Sequence, residues 1–593
     1  MEQKDHFRTR LIFAAWLNII CLMVLAITYN PIPAIAADYL KVAILKEPKN
    51  LNPFTTSDAW TKKVIRLIYQ PLYLVDPDTQ TLTPWLAEDQ PVYDSDKKTV
   101  TFHLRKMKWD DGSDFTAEDV IFTGGIFKKF QIPRYYAYWE FVKEIVALDN
   151  RTVRITLDKP MAVFPRRTLS TWIVQKKKWQ PLIERAEKHL KPSTERTTIS
   201  DADMSEALKI IQTHKVSKPT GLGPFKFVAS KKGKYILLLK NKYFFGKGLT
   251  ISGHRLGPYI DGVMFKTFGS LATATLALEE GQIDFLWKGI SQAFVNDLVP
   301  NPKVNVPMTL DLGYRYLGFN LRDPPMSDHA FRQAVAYLIN KNFIVNRVLH
   351  DHGQRLDTFV PPSNTYYYDS HTPTYGQGMN RQVRTLKAYD ILSAAGYGWD
   401  TPPLDEKGSM QKGKGFKGPD GKAVPPLTLI TPTAHYDTEA AATGKVIVEW
   451  LDEFGIPVSR KTMAFNSLLS QVKLKRDFDM FILGWRGLSL DPDYLRRFFH
   501  SDYDLPNQWN YTGYDNAEFN QLSNLQAETV DVAKRRQIVF RLQNILAEDL
   551  PIIPLYIPHL MEGVRNDRFA GWVKQAGGVG NIWTFCMLRP VQK

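Results

Sequence analysis

Two stretches between residues 408 and 418 have the spacing of phosphate-cradling loops. Gly408-Ser409-Met410-Gln411-Lys412-Gly413-Lys414 fits G-x-x-x-x-G-K, but Gly415 stands where a hydroxyl residue would hold magnesium. Gly413-Lys414-Gly415-Phe416-Lys417-Gly418 fits G-x-G-x-x-G. Neither follows a clear strand, and Pro419-Asp420-Gly421 blocks the helix whose N-terminus would bind phosphate, so both read as accidents of composition. Hydrolase chemistry has no signature: the chain contains neither G-x-S-x-G nor H-E-x-x-H. His350 and His352 flank Asp351 without an evident third ligand and read as a loop at a helix end, with transition-metal binding the alternative. Cys21 and Cys586 are the only cysteines, too few for a cysteine–zinc or iron–sulfur site within one chain. No cofactor and no metal ligand set is expected, and no catalytic residue is assigned.

The bulk numbers bound the rest. A chain of 593 residues is too long for one core and predicts two to four domains. Aromatic residues are abundant, with 14 Trp and 26 Tyr, enough to fill cores and also to line a ligand cleft. Lys4, Arg8 and Arg10 precede an apolar run from Leu11 to Ile27, and Ala34-Ile35-Ala36 offers a small-residue cleavage site. Residues 1–36 therefore read as a signal peptide. The run is just long enough to span a bilayer, so an uncleaved anchor is the alternative. Cleavage would leave Cys586 as a lone thiol and a soluble chain outside the cytoplasm. The formal charge is +15, or about +14 without residues 1–36, which carry three basic and two acidic residues. That balance favours acidic ligands or anionic lipid. The basic residues are dispersed, and export removes nucleic acid as a partner.

Elements that would position a site alternate between strand and helix. Tyr39 to Leu45, Thr99 to Arg105 and Val153 to Leu157 alternate as strands. Gly221-Leu222-Gly223-Pro224 turns into a strand from Phe225, paired with Tyr235 to Leu239, and Ala272 to Leu278 reads as a helix. Residues 180–215 read as helical. Asp328 caps a helix whose Phe331, Val335, Leu338 and Ile339 share a face, and Ile538, Leu542, Ile545 and Leu546 mark another over 533–549. Pro551 to Tyr556 must run extended. Residues 400–426 read as a long surface loop. The class is α/β.

One segment carries more than shape. Trp109-Asp110-Asp111-Gly112-Ser113-Asp114-Phe115-Thr116-Ala117-Glu118-Asp119-Val120 joins a strand stop, a tight turn and a capped helix start, with Asp119 three residues after Thr116. It resembles a signature of the family 5 extracellular solute-binding proteins, the receptors of peptide, nickel and related ABC importers. Gly221 to Phe227, Asn241-Lys242-Tyr243-Phe244, Gly281-Gln282-Ile283-Asp284, Gly318-Phe319-Asn320, Phe331 to Tyr337, Ala394-Ala395-Gly396-Tyr397, Gly484-Trp485 with Asp491-Pro492-Asp493, and Pro551 to Tyr556 continue the resemblance in the family's order.

The resemblance implies a type II periplasmic-binding-protein fold, two lobes with a hinge and an additional inserted domain. By it, residues 37–54, 220–308 and 559–593 form the first lobe, 55–219 the inserted domain and 309–558 the second lobe. It implies a periplasmic receptor, not an enzyme, that encloses a peptide or peptide-like solute and delivers it to an inner-membrane ABC permease and ATPase complex. The alternatives are a nickel or metal-chelate, opine or sugar binder of the same family, and a membrane-tethered sensor. An extracellular peptidase is the enzymatic alternative. Trp485 is the foremost contact candidate, as a stacking or lid aromatic or else a core Trp at a strand end. Glu47 and Asn320 resemble cleft positions. Peptide-binding members commonly place an Asp three residues after this Trp, where it pairs the peptide's α-amino group; here the position is Leu488. Either the solute lacks a free amino group there or it is anionic and met by Arg486. Asp491 and Asp493 stand near enough to replace the anchor, or they cap the helix that begins near Tyr494.

Overall fold

In the computed structural model, residues 38–55, 58–133, 135–190 and 200–591 are described. The expected signal peptide lies outside them. Among the described residues no helix is long and apolar enough to cross a membrane. Residues 40–593 form one compact unit, to which the architecture below belongs.

Three sheets organise that unit. The first orders its seven strands as Val304–Asn305, Gly563–Arg565, Phe285–Leu286, Tyr39–Ile44, Gly262–Thr267, Tyr235–Lys240 and Phe225–Lys231. The second is built from Met308–Leu310, Ile552–Met561, Arg315–Phe319, Met480–Gly484, Leu427–Pro432 and Val458–Met463, with Gly353–Arg355 also on Ile552–Met561. A smaller sheet orders Val92–Tyr93, Thr99–His103, Thr152–Leu157 and Val142–Ala147. The α/β reading holds in detail. Residues 180–215 prove to contain two helices, Lys176–Glu187 and Asp201–Thr213, each with its own buried face.

A two-stranded ribbon links the large sheets. Val304 and Asn305 pair with Arg565 and Val564 in the first, and Met308, Thr309 and Leu310 pair with Met561, Leu560 and His559 in the second. Chain passes between the sheets here in both directions, so a rotation can be absorbed within a few residues.

Alternation explains how the second sheet is buried on both sides. Leu317, Phe319, Met480 and Ile482 enter one apolar cluster, while Tyr316, Phe481 and Leu483 enter another on the opposite face. Residues 58–190 instead share a continuous core with the first sheet. Trp85, fully buried, meets Phe244, Phe245 and Trp583 with ring centroids 5.2–6.0 Å apart.

The Trp109–Val120 segment is a staple in that core. The Trp109 N–H donates to the Ser113 carbonyl at 2.8 Å, closing the turn, with Gly112 at φ +90°. The Thr116 N–H donates to Asp119, which also accepts from the Trp109 indole and from the Lys176 N–H at 2.8 Å. The Asp110 N–H donates to the Gly221 carbonyl, and the Asp110 carboxylate accepts from the Gly221 N–H. Gly221 and Gly223 pass so close to the preceding layer that a Cβ would lie 2.0 Å from the Ile68 carbonyl oxygen and 2.1 Å from that of Leu67. Burial raises the Asp110 carboxyl to about 6, although the Gly221 N–H favours its charged form.

Residues 400–426 wrap as loops and isolated bridges. The Gly413 N–H donates to the Glu453 carbonyl, at the C-terminal end of helix Thr438–Phe454. A helix C-terminus repels phosphate, so the glycine-rich spacing forms no phosphate cradle.

Candidate functional site

Strand Met480–Gly484 ends at the edge of an open cavity of about 450 Å³, within the range of small-molecule sites. Trp485 to Ser489 form one wall, helix Tyr494–Phe499 another, and residues 135–172 face them from the opposite side. Aromatic rings dominate the wall around Trp485. Trp485 stacks on Phe498 with centroids 3.8 Å apart and planes 8° from parallel, and its ring stacks on Tyr316 at 5.2 Å. Trp509 and Tyr511 extend the cluster. Trp485 packs on the edge of an apolar cluster and is also partly exposed at the cavity.

Arg166, Arg167, Arg486 and Arg497 also line the cavity, and none of its described lining residues is Asp or Glu. Among the described residues, three buried N–H donors on this wall set, Arg166 Nη1, Arg497 Nε and Trp485 Nε1, have no acceptor. Burial lowers the pKa of Arg497, and the neighbouring Arg167 charge lowers it further. Burial likewise lowers that of Arg166. Arg486 is more than half exposed and comes within 3.6 Å of Asp437, itself held by Arg315 at 2.7 Å.

The two aspartates of the Asp-Pro-Asp segment are sealed beneath this surface. Asp491 accepts a bidentate pair from Arg535 at 2.8 and 2.9 Å, both side chains buried. Burial alone would raise its pKa, but Arg535 carries it down to about 2. Asp493 occupies the N-cap position of helix Tyr494–Phe499, yet its side chain makes no capping bond. It accepts instead from Arg496 at 2.8 and 3.1 Å, from Gln526 at 2.7 Å, and from Arg167 at 2.9 Å. The last contact joins residues 326 positions apart and engages Arg167, which also lines the cavity. It is flanked by the Ala162 N–H donating to the Ala527 carbonyl at 2.8 Å and by Gln80 bonding Ser363 and Thr365.

The remaining candidates sit elsewhere. Glu47 accepts from the Gly233 N–H at 3.0 Å, in the turn between two strands of the first sheet. Asn320 is buried; its amide donates to Asp323 and its carbonyl accepts from Arg322. Of the six candidates, Trp485 and Arg486 come together at the cavity. Tyr135, Tyr138, Arg166, Arg167, Trp172 and Arg497 line it without having been singled out from sequence. The Arg166-Arg167 and Arg496-Arg497 pairs are visible as dibasic steps beside apolar residues, but nothing local says that they converge.

Beyond Ser170 and Trp172, which border both, lies a second cavity of about 250 Å³ walled by Arg66, Tyr69, Tyr73 and Trp583.

Residues 81–506 match the family described as bacterial extracellular solute-binding proteins, family 5 middle. The chain belongs to that family. Among curated relatives, the oligopeptide-binding protein AppA of Bacillus subtilis (strain 168) is 26% identical over 530 residues, covering 88% of this chain and 86% of AppA. The peptide transport periplasmic protein SapA of Salmonella typhimurium is 24% identical over 527 residues, covering 84% and 83%. Among solved structures, AppA with a bound nonapeptide superposes at a TM-score of 0.65 and 23% identity, covering 93% of this chain and 99% of that one. Likeness at that identity establishes the shared fold, that of the type II periplasmic binding proteins. The family is one of solute-binding proteins whose members act outside the cytoplasm.

Proposed function

We propose that this family 5 protein is an exported, non-enzymatic receptor that holds a peptide or peptide-like solute and hands it to an inner-membrane ABC permease and ATPase complex. The observation that carries the reading is the Trp485-walled cavity, where a strand end of the second lobe faces residues 135–172 across about 450 Å³. Relatives named for oligopeptide and peptide transport, matched over most of their length, support the solute class. The ribbon between the two large sheets supplies the hinge that opening and closing around a solute requires. Aromatic walls suit backbone-centred recognition with forgiving side-chain pockets, as in strand-addition binding of peptides.

A thermal-shift panel of short peptides, followed by calorimetry, tests the reading. Stabilisation by peptides, lost or weakened at least tenfold in Trp485→Ala, is expected. Absence of any shift across the panel would remove the peptide class.

A further inference from the structure

The cavity has the wrong charge for an amino terminus. Where the resemblance implies an amino-anchoring Asp stands Leu488, a partly exposed apolar side chain of the wall. The two nearby carboxylates cannot take its place. Both Asp491 oxygens are held by Arg535, and both Asp493 oxygens are held by Arg496, with Arg167 and Gln526 added. Their charge is more than spent, since five guanidinium groups (Arg166, Arg167, Arg496, Arg497 and Arg535) stand against these two carboxylates. An ammonium group brought to this wall would meet net positive charge in a partly desolvated space, where like charges repel far more strongly than in water.

The same wall is short of acceptors. The Arg497 side chain makes no hydrogen bond or ion pair among the described residues, and its Nε is buried. Arg166 keeps one buried nitrogen unpartnered while another donates to the Gln80 carbonyl at 2.7 Å. The Trp485 indole N–H is a third donor in search of an acceptor. Buried donors without acceptors are costly, more so on charged groups, and a planar guanidinium is shaped for a carboxylate. The chain as a whole is also strongly basic, at +15.

Resting on the peptide-like reading above, we infer that this cavity receives a carboxylate-bearing end of the solute, through Arg166, Arg497 and Trp485. The favoured solute is therefore an acidic or acyl-blocked peptide rather than a free-amino one.

The test is calorimetry on the purified protein with one tetrapeptide in three forms: free amino terminus, N-acetyl and N-succinyl. Citrate serves as a non-peptide polycarboxylate. The succinyl form should bind about tenfold or more tighter than the acetyl form, and the free-amino form most weakly, as charge-assisted bonds require. Arg497→Gln should erase most of the succinyl advantage at unchanged unfolding midpoint. Leu488→Asp, a change at a partly exposed position, should reverse the order in favour of the free amine. Tightest binding by the free-amino peptide would overturn the inference while sustaining the peptide-receptor function. Citrate binding lost in Arg497→Gln, with all three peptides silent, would sustain the inference and overturn the peptide class. Silence of the succinyl peptide and citrate alike would overturn the inference.

Discussion

Removing the Asp491 carboxylate should destabilise the surrounding fold rather than act as the loss of a ligand contact. Asp491 is completely buried and grips Arg535 with two bonds of 2.8 and 2.9 Å; Arg535 is almost as deeply enclosed. Asp491→Ala leaves that guanidinium buried with Gln526 Oε1, at 2.9–3.1 Å, and the Tyr367 ring, at 5.6 Å, as its remaining partners. Breaking one side of a buried pair costs about 3–5 kcal/mol. The Gln526 and Tyr367 contacts place the expected loss at the low end, about 3 kcal/mol. Urea unfolding followed by tryptophan fluorescence measures it, with calorimetry on the folded protein read in parallel. The double change Asp491→Leu with Arg535→Met should recover most of the loss, because both charges leave together. A large drop in solute affinity at unchanged stability would refute the reasoning and make Asp491 the amino anchor.

Acid should reveal the same pair. The Asp491 pKa falls from 3.8 to about 2 on folding, so its stabilisation is fully present above pH 3.8 and vanishes as pH drops through 2. The amount is about 2 kcal/mol, and Asp491→Asn should flatten that part of the stability–pH curve. Asp110 has the opposite sign: its raised carboxyl favours folding below the ordinary carboxylate range and loses that contribution as pH rises through about 6. Asp110→Asn should therefore cost least above pH 7 when unfolding is followed across pH 4–8. Gly223→Ala, which would drive a Cβ to 2.1 Å from the Leu67 carbonyl oxygen, should destabilise by about 3 kcal/mol or more in urea. Arg167→Ala removes one ion pair of Asp493 but leaves that carboxylate with Arg496 and Gln526. Stability should change little, while small-angle scattering of the unliganded protein should show a larger radius of gyration.

The elements were legible because their signals are local. Alternation in Thr99–His103 and Thr152–Leu157, the 3.6-residue period in Val532–Asp549 and His329–Leu338, and the prolines of Ile552–Met561 each fix a backbone state within a few residues. The Trp109–Val120 turn was equally clear, since its cap and glycine act within twelve residues. Its binding to Gly221 was not, because that bond spans 111 positions. The site divides the same way. Trp485 and Arg486 follow a strand end, a local signal, and both line the cavity. The engagement of Asp491 by Arg535, 44 positions on, and of Asp493 by Arg167 depends on helices and domains packing together, which no window of sequence contains. The suggested cap at Asp493 failed for that reason: Arg496, Arg167 and the Gln526 amide, from three segments, outcompete the local backbone N–H groups for its carboxylate.

Gentle purification of the protein from its native host, followed by native mass spectrometry, tests the central claim most directly. The expected finding is a bound solute whose fragments are peptide-like and acidic or lack a free α-amino group, and whose occupancy falls sharply in Trp485→Ala. A protein that arrives without bound solute and shows no thermal shift with free, acylated or acidic peptides would contradict it.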